Sequence, residues 1–570
     1  MKKIYFILAA MLLAEMTGAV TNHLYAQESL PQWGEDLLTQ NPDIIDSILY
    51  YDPDAQGPNT RTYVIYYHQP LNHSQSGSAQ FPLRALITVH KDADPTKAVN
   101  HIYASGYSIM GPYLYRPDSA FHADQVDCAA EIAHRYRANF IQIEHRYYQF
   151  SAPAACWTNI DDLRAEEAAA DFHNLFDALK KVLKGKYVMS GVSKGGIATL
   201  LQHKFYPNDM DIFVPYSAPF FNTDRDLELQ KYWYNNGWSP YFRNIYMTIR
   251  ENGLYNKETI FPCYLKMRGG AATQAKLDSV YWLYLASVAG FGFEDHAYSD
   301  TLSIRKCMYR NDSITNAKGV KPYSDTVYAF MFDKGVFDLS NFPDWIDTLR
   351  KYPDKKQAPQ RSMYGERIRP FGVSEKDWWS GDTIDGTAYN YQAKRELGYF
   401  DYRFDMILED PVSGQAYNDY WTKNAGCLQD LWSPFYSSLT FSPTLYNETM
   451  AATQNATKPI VLLYGLDDSW TGAAVKDQYI NGSNVRKFIL PAQNHMVAFS
   501  ANTDRAQSDA IRAILDGVLG ASEAIETVGG EQAPVVRKVL HNGQIYIIRG
   551  DKIYTIEGEV VSGYRLPVSE

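Results

Sequence analysis

The chain has 570 residues, 45% of them hydrophobic, 14% aromatic and 21% charged. That is material for a sizeable core and more than one structural unit, and it excludes a small disulfide scaffold, general disorder and a multi-pass membrane protein. Lys and Arg total 54 against 65 Asp and Glu, a formal charge of -11, so the basic footprint that neutralises phosphates is missing and no nucleic-acid partner is expected.

At the N-terminus Lys2 and Lys3 precede an apolar stretch, Ile4 to Ala14, which Glu15 ends; Leu24-Tyr25-Ala26 then offers a cleavage point. Residues 1–26 read as a signal peptide with Gln27 as the mature start, and the protein is expected to be exported to the periplasm, cell surface or exterior. The stretch is too short to span a bilayer, and no later run approaches the roughly 20 apolar residues that a spanning helix needs, so no membrane span is expected. Cys128, Cys156, Cys263, Cys307 and Cys427 are an odd set in a compartment that allows disulfides. Cys263 with Cys307 is the pair to weigh against five buried small hydrophobes. No CxxC or Cys/His cluster suggests a metal.

From Arg61 to Met189 short β-rich runs alternate with turn residues: Thr62-Tyr67, Leu83-His90, His101-Ala104 and Phe140-Ile143 read as strands. Between Asn159 and Gly185, Phe172, Leu175, Phe176, Leu179, Val182 and Leu183 recur at three and four, the stripe of a helix packed on a sheet. Thr158 with Asp161 signals its start and Gly185 its end. Tyr187-Ser190 is then a strand, Gly195 to Phe205 a helix stopped by Pro207, and Asp211-Tyr216 a strand. This alternation predicts an α/β fold with a doubly wound, mostly parallel sheet.

The rhythm breaks near Pro219 and resumes with strands Pro459-Tyr464 and Val485-Leu490 and a helix from Asp504 to Leu519. The intervening stretch, rich in Tyr, Trp, Asp and Asn, reads as a mainly helical cap inserted at the carboxyl ends of the strands, where ligands bind in such folds. The expected organisation is a first part of the sheet domain at 27–220, a cap at 221–457, a second part at 458–522 and a small β unit at 530–570. In that unit Val535-Leu540, Ile545-Ile548 and Ile553-Ile556 form a ribbon whose first turn is Asn542-Gly543.

Gly191-Val192-Ser193-Lys194-Gly195 is the one GxSxG in the chain. By itself the motif is unspecific, but here it joins a β-rich run to an amphipathic helix, as the nucleophile elbow of an α/β-hydrolase requires. A serine nucleophile needs a base and the base an orienter, in the chain order Ser, Asp or Glu, His. Asp468 follows the strand 459–464, and His495 follows the strand 485–490 as the sole histidine between His296 and His541. Asp467 is the alternative acid; Asp468 is preferred because it stands three residues after Gly465. Ser193, Asp468 and His495 are thus the expected catalytic triad. The oxyanion donors are expected to be the backbone N–H groups of Lys194 and, from the loop Ser105-Gly106-Tyr107, of Tyr107.

The elbow with Gly196, the Glu144-His145-Arg146-Tyr147-Tyr148 run, the Asp468-Ser469-Trp470 loop and Asn494-His495 together resemble the secreted tripeptidyl aminopeptidases, serine peptidases related to prolyl carboxypeptidase and dipeptidyl peptidase II. The resemblance runs from about Asp43 to Leu519 and is patchy in the cap. Where relatives often carry Asp-Pro-Trp, this chain has Asp-Ser-Trp. The resemblance implies removal of short peptides, typically tripeptides, from peptide substrates with a free N-terminus, and it implies no metal or cofactor. It leaves open a proline-selective dipeptidyl peptidase, a carboxypeptidase that would bind the substrate carboxylate with Arg367 or Arg369, and an esterase or lipase.

An N-terminal exopeptidase must hold an ammonium in a partly dry pocket, where a carboxylate offsets the desolvation best. The run from Tyr391 to Phe400 resembles a segment of the related peptidases, and Gln392 and Glu396, one helical turn apart, are the expected binding residues, with Glu396 as the ammonium anchor. Glu144 is a second candidate for a substrate amine, set against a pairing with Arg146 or a neighbouring loop. The terminal ribbon, Arg537 to Val561, resembles segments on exported Bacteroidetes proteins associated with secretion or sorting; a plain packed ribbon is the other reading. Oligomeric state is not legible.

Overall fold

The computed structural model describes residues 30–51, 59–109, 129–152, 160–236, 273, 388–389, 391–400 and 439–520, together with strands at 536–541, 544–549 and 552–555. The expected signal peptide, the five cysteines, Arg367, Arg369 and most of the expected cap at 221–457 lie outside these residues. The chain divides into two compact units, residues 1–520 and 521–570.

The larger unit is built on a nine-stranded sheet: β1 (Ile45–Tyr50), β2 (Thr60–Pro70), β3 (Gln80–His90), β4 (Asn100–Ala104), β5 (Asn139–Ile143), β6 (Tyr187–Val192), β7 (Ile212–Tyr216), β8 (Ile460–Gly465) and β9 (Val485–Leu490). Their spatial order is β1-β2-β3-β5-β4-β6-β7-β8-β9. From β5 to β9 every pair is parallel. The first three strands and the β3–β5 pair are antiparallel; β2 and β3 must be so, because the connection at 71–79 is too short for the crossover that a parallel pair needs. This is the mostly parallel α/β-hydrolase sheet that the sequence predicts, with an antiparallel entry at one edge.

The central strands β4 to β8 are buried end to end, as expected where helices cover both faces. Side chains alternate between two cores. Ile102, Met189, Phe213, Ile460 and Leu462 meet the helices α3 (Ala165–Lys180), α4 (Lys194–Phe205) and α6 (Thr444–Gln454) through Phe172, Leu175, Ile197, Leu200 and Met450. On the other face Tyr103, Val188, Ile212, Val461 and Leu463 meet α2 (Glu131–Tyr136) and α7 (Arg505–Leu519) through Ile132, Ile511 and Leu515. Two further helices, α1 (Gln32–Gln40) and α5 (Glu228–Asn236), lie outside the alternating pattern. Among the described residues no helix is long and apolar enough to cross a membrane.

The helix expected over 159–185 is shorter. A single 3-10 turn, Ile160–Asp162, precedes α3, and the stripe residues Val182 and Leu183 stay buried in a turn beyond it. The expected cap, Thr158, is outside the described residues, and Arg164 at the N-cap position gives no side-chain cap. The Ala165 N–H is instead accepted by Glu396 Oε1 at 2.8 Å, from 231 residues away in sequence.

The Glu144–Tyr148 run is a knot in the core. Arg146 is 0% exposed and uses all five guanidinium N–H groups: Nε and one terminal nitrogen bind Asp171 at 2.7 and 2.8 Å, and the rest bind the carbonyls of Leu71, Asp162 and Pro70. A buried fork of this kind is intolerant of a partner's loss. Arg146→Met is expected to lower stability by about 3–5 kcal/mol by removing the buried charge partner of Asp171, which keeps His73 at 2.8 Å, and the donor to three backbone carbonyls; a thermal melt of the purified variant checks this.

The smaller unit is a meander of β10 (Val536–His541), β11 (Gln544–Arg549) and β12 (Lys552–Thr555), all antiparallel. Asn542-Gly543 separates the paired His541 and Gln544, as the sequence predicts.

Candidate active site

Ser193 stands between β6 and α4 with φ 59 and ψ -121, a left-handed conformation that costs a residue with a Cβ and persists where its surroundings over-determine it. Its N–H is held by the Tyr216 carbonyl at 3.0 Å on the neighbouring β7. The glycines of the motif have a steric cause. A Cβ on Gly195 or on Gly191 would collide with the Ala104 carbonyl at the end of β4. The serine is therefore raised at the carboxyl ends of the parallel strands and at the N-terminus of α4, where free N–H groups and the helix dipole favour negative charge.

Asp468 and His495 come from the loops after β8 and β9, both at the same end of the sheet. Asp468 Oδ2 meets His495 Nδ1 at 2.8 Å, and Asp468 Oδ1 accepts the Trp470 N–H at 3.0 Å. Both side chains are buried, at 0% and 1% exposure, so the pair sits where its attraction is little screened. Of the two neighbouring acids, it is Asp468 that reaches the histidine. Asp467 is partly exposed, its N–H is spent on the Gln493 carbonyl at 2.9 Å, and burial pushes its carboxyl up. The Trp470 ring lies 6.0 Å from that of His495 and 5.1 Å from that of Phe400, so residues 70 positions apart build one aromatic wall beside the histidine.

The loop Ser105-Gly106-Tyr107 is pressed against the elbow: Gly106 has φ +74, and a Cβ there would meet the backbone of Lys194 and Gly195. Lys194 Nζ donates to the Gly106 carbonyl at 2.5 Å and lies 4.8 Å from the Tyr148 ring. In a trans peptide the carbonyl and the next N–H point opposite ways, so the Tyr107 N–H points away from Lys194; it makes a 3.2 Å bond to Ser105 Oγ.

The three expected binding residues part company. Glu144 is 0% exposed and engaged with Arg84 at 2.6 Å, the Ile109 N–H at 3.0 Å and Ser151 at 3.0 Å. The expectation that it meets a substrate amine is corrected: its charge is neutralised within the core by Arg84. Gln392 is 1% exposed and lines a cavity of about 20 Å³ with His145, Ala165, Lys194, Ile197 and Leu397, room for about one water. Glu396 lies in a π turn, Ala393–Leu397, closed by the Gly398 N–H on the Ala393 carbonyl at 2.9 Å. Burial pushes its carboxyl up to about 7, against the pull of the Ala165 N–H and of Arg395, Arg164 and Lys194.

His173, Asp177 and Asp209 gather their ligand atoms within 4.8 Å. His173 Nδ1 binds Asp209 Oδ1 at 2.8 Å, and Gln202 and Lys180 share that carboxylate, so the group is a hydrogen-bonded knot at the surface.

Sheet order, strained elbow and buried Asp–His pair define the α/β-hydrolase class. Within it, residues 55–237 match the model of the PS-10 peptidase S37 family. Prolyl tri/tetrapeptidyl aminopeptidase of Streptomyces mobaraensis is 26% identical over 285 residues, covering 49% of this chain and 52% of that protein, so the chain spans about half the length of this curated relative. Among solved structures, a peroxisomal α/β-hydrolase of Saccharomyces cerevisiae aligns over 83% of this chain and 94% of its own at 10% identity and a TM-score of 0.33. Prolyl oligopeptidase B of Galerina marginata aligns over 32% and 23% at 18% identity and a TM-score of 0.21.

Proposed function

We propose that the protein is an exported serine exopeptidase that releases short peptides, tripeptides above all, from a free N-terminus through an acyl-enzyme. The observation that carries this reading is the buried Asp468–His495 pair, 2.8 Å apart, on loops at the same end of the sheet as the strained Ser193 elbow. Ser193 Oγ attacks the scissile carbonyl while His495 Nε2 takes its proton and returns it to the leaving amine. Asp468 holds Nδ1–H, which fixes the tautomer and stabilises the imidazolium. Water then repeats the sequence on the acyl-enzyme. The oxyanion is received by the Lys194 N–H, at the first position of α4, and by the Tyr107 N–H once it turns from Ser105; each donor is worth about 3 kcal/mol.

Glu396 is the proposed ammonium anchor. Its Oε1 is committed to Ala165, which leaves Oε2 for the substrate. A carboxyl poised near 7 is half protonated at neutral pH, and an arriving ammonium shifts it to the charged form. Free-N-terminus peptides should accordingly bind better as pH rises through 7, the carboxyl losing its proton while the peptide amine, with a pKa of about 8, keeps its own. Glu396→Gln, which keeps an acceptor for Ala165, is expected to lower kcat/KM for such peptides about 10- to 100-fold and to remove that pH limb. An unchanged pH profile and rate would end the assignment.

The activity itself is tested by mass spectrometry of a ten-residue peptide and its N-acetylated twin. Successive three-residue losses from the free peptide alone are expected. Two-residue losses, or losses from the carboxyl end, would move the assignment to the proline-selective relatives, and turnover of esters without peptides would move it to an esterase.

A further inference from the structure

Glu131 opens helix α2, on the face of the sheet opposite α3 and α4, and neither the sequence motifs nor the proposed chemistry uses it. It is buried, 6% exposed, and its carboxylate gathers three elements. Oε1 accepts the Tyr216 hydroxyl at 2.8 Å and the Phe499 N–H at 3.2 Å; Oε2 accepts the Ser500 N–H at 2.9 Å. Phe499 and Ser500 lie four and five residues beyond His495. Tyr216, through its carbonyl, is the residue that fixes the Ser193 N–H. The same loop is closed on itself by Gln493, whose amide bonds the Ala501 carbonyl at 3.2 Å and the Ala498 N–H at 3.3 Å.

We infer that Glu131 and the Tyr216 hydroxyl form a strap that holds the His495 loop at a fixed distance from the Ser193 elbow, making Glu131 a positioning residue for the base. The inference rests on the proposed role of His495. The chemistry of the strap favours a carboxylate. The Tyr216 hydroxyl and the Phe499 and Ser500 N–H groups all donate to it, so a carboxylate's two acceptor oxygens suit them, while an amide turns an NH₂ toward an N–H or a hydroxyl. Without the strap the histidine loop loses its direct tie to the strand that fixes the elbow and is left with its Gln493 closure, the Ser508 hydroxyl on the Phe499 carbonyl at 2.9 Å and the contacts to Asp467 and Asp468; a displacement of about 1 Å at a catalytic group costs on the order of 10²-fold in rate. Burial pushes the Glu131 carboxyl up to about 7, and the hydrogen bonds from Ser500, Tyr216 and Phe499 oppose that rise.

The test compares Glu131→Gln and Tyr216→Phe with Arg135→Ala. The last, on the same helix, removes an ion pair to Asp516 of 2.7 Å and so lowers stability without touching the strap. Both strap variants are expected to lose about 10- to 100-fold in kcat with KM within twofold of the parent, and to label Ser193 with a fluorophosphonate more slowly by the same factor. Amide exchange at Phe499 and Ser500 should rise in both, while Arg135→Ala should melt earlier yet keep its kcat. A kcat within twofold of the parent in Glu131→Gln, or an equal loss in Arg135→Ala, overturns the strap. If the parent protein itself fails to label at Ser193, the hydrolase reading falls. The exchange rates then decide the strap alone, faster exchange in the strap variants upholding it and unchanged exchange overturning it.

Discussion

Ser193→Ala is expected to reduce peptide hydrolysis by about 10⁶-fold while leaving the melting temperature unchanged. The size of the loss follows from the proposed acyl-enzyme route: without Oγ no covalent intermediate forms, and what remains is the contribution of the oxyanion donors and of binding, about 10³–10⁴ over water. The stability expectation follows from the backbone. Ser193 already carries a Cβ at φ 59, so alanine meets no strain that serine does not, in contrast to any side chain placed at Gly191 or Gly195. Kinetics on freshly purified protein with the ten-residue peptide check the first half, and a melt checks the second. A variant that kept its activity would point to a different nucleophile and remove the basis of the proposal.

The second large effect separates two adjacent acids. Asp468→Asn keeps an acceptor for the Trp470 N–H but turns an NH₂ toward His495 Nδ1. That nitrogen must then accept, the ring proton moves to Nε2, and the base is lost, for an expected fall in kcat of about 10⁴-fold. Asp467→Asn is expected to change kcat less than twofold, because the carboxylate on His495 Nδ1 is that of Asp468 and the Asp467 backbone bond to Gln493 survives the substitution. Parallel kcat measurements on the two variants decide it, and a larger loss at Asp467 would reverse the assignment of the acid.

How far the molecule was legible in its sequence depended on the range of the cause. The strands at 83–90, 101–104, 140–143, 187–190 and 459–464 were readable because buried β-rich runs and turn residues are local signals, and the order Ser, Asp, His along the chain followed from the alternation of strand and helix. The elbow was readable because its glycines answer to a steric demand within five residues, although their collision partner, the Ala104 carbonyl, is remote.

What the sequence by itself determined was therefore the layered α/β architecture, the loops that carry Ser193, Asp468 and His495, and these as the residues to examine. The tertiary structure decided which of two acids meets the imidazole, and that Glu144 is a core partner of Arg84. It also decided that α3 begins at Ala165 under the Glu396 carboxylate, and that Glu131 bonds the histidine loop and Tyr216 of the sheet. Each of these turns on hydrogen bonds between residues up to 369 positions apart. Periodicity and local propensity carry no record of such pairs. A buried carboxylate takes the donors that the packed elements bring within about 3 Å of it, and that is settled only when the elements are in place.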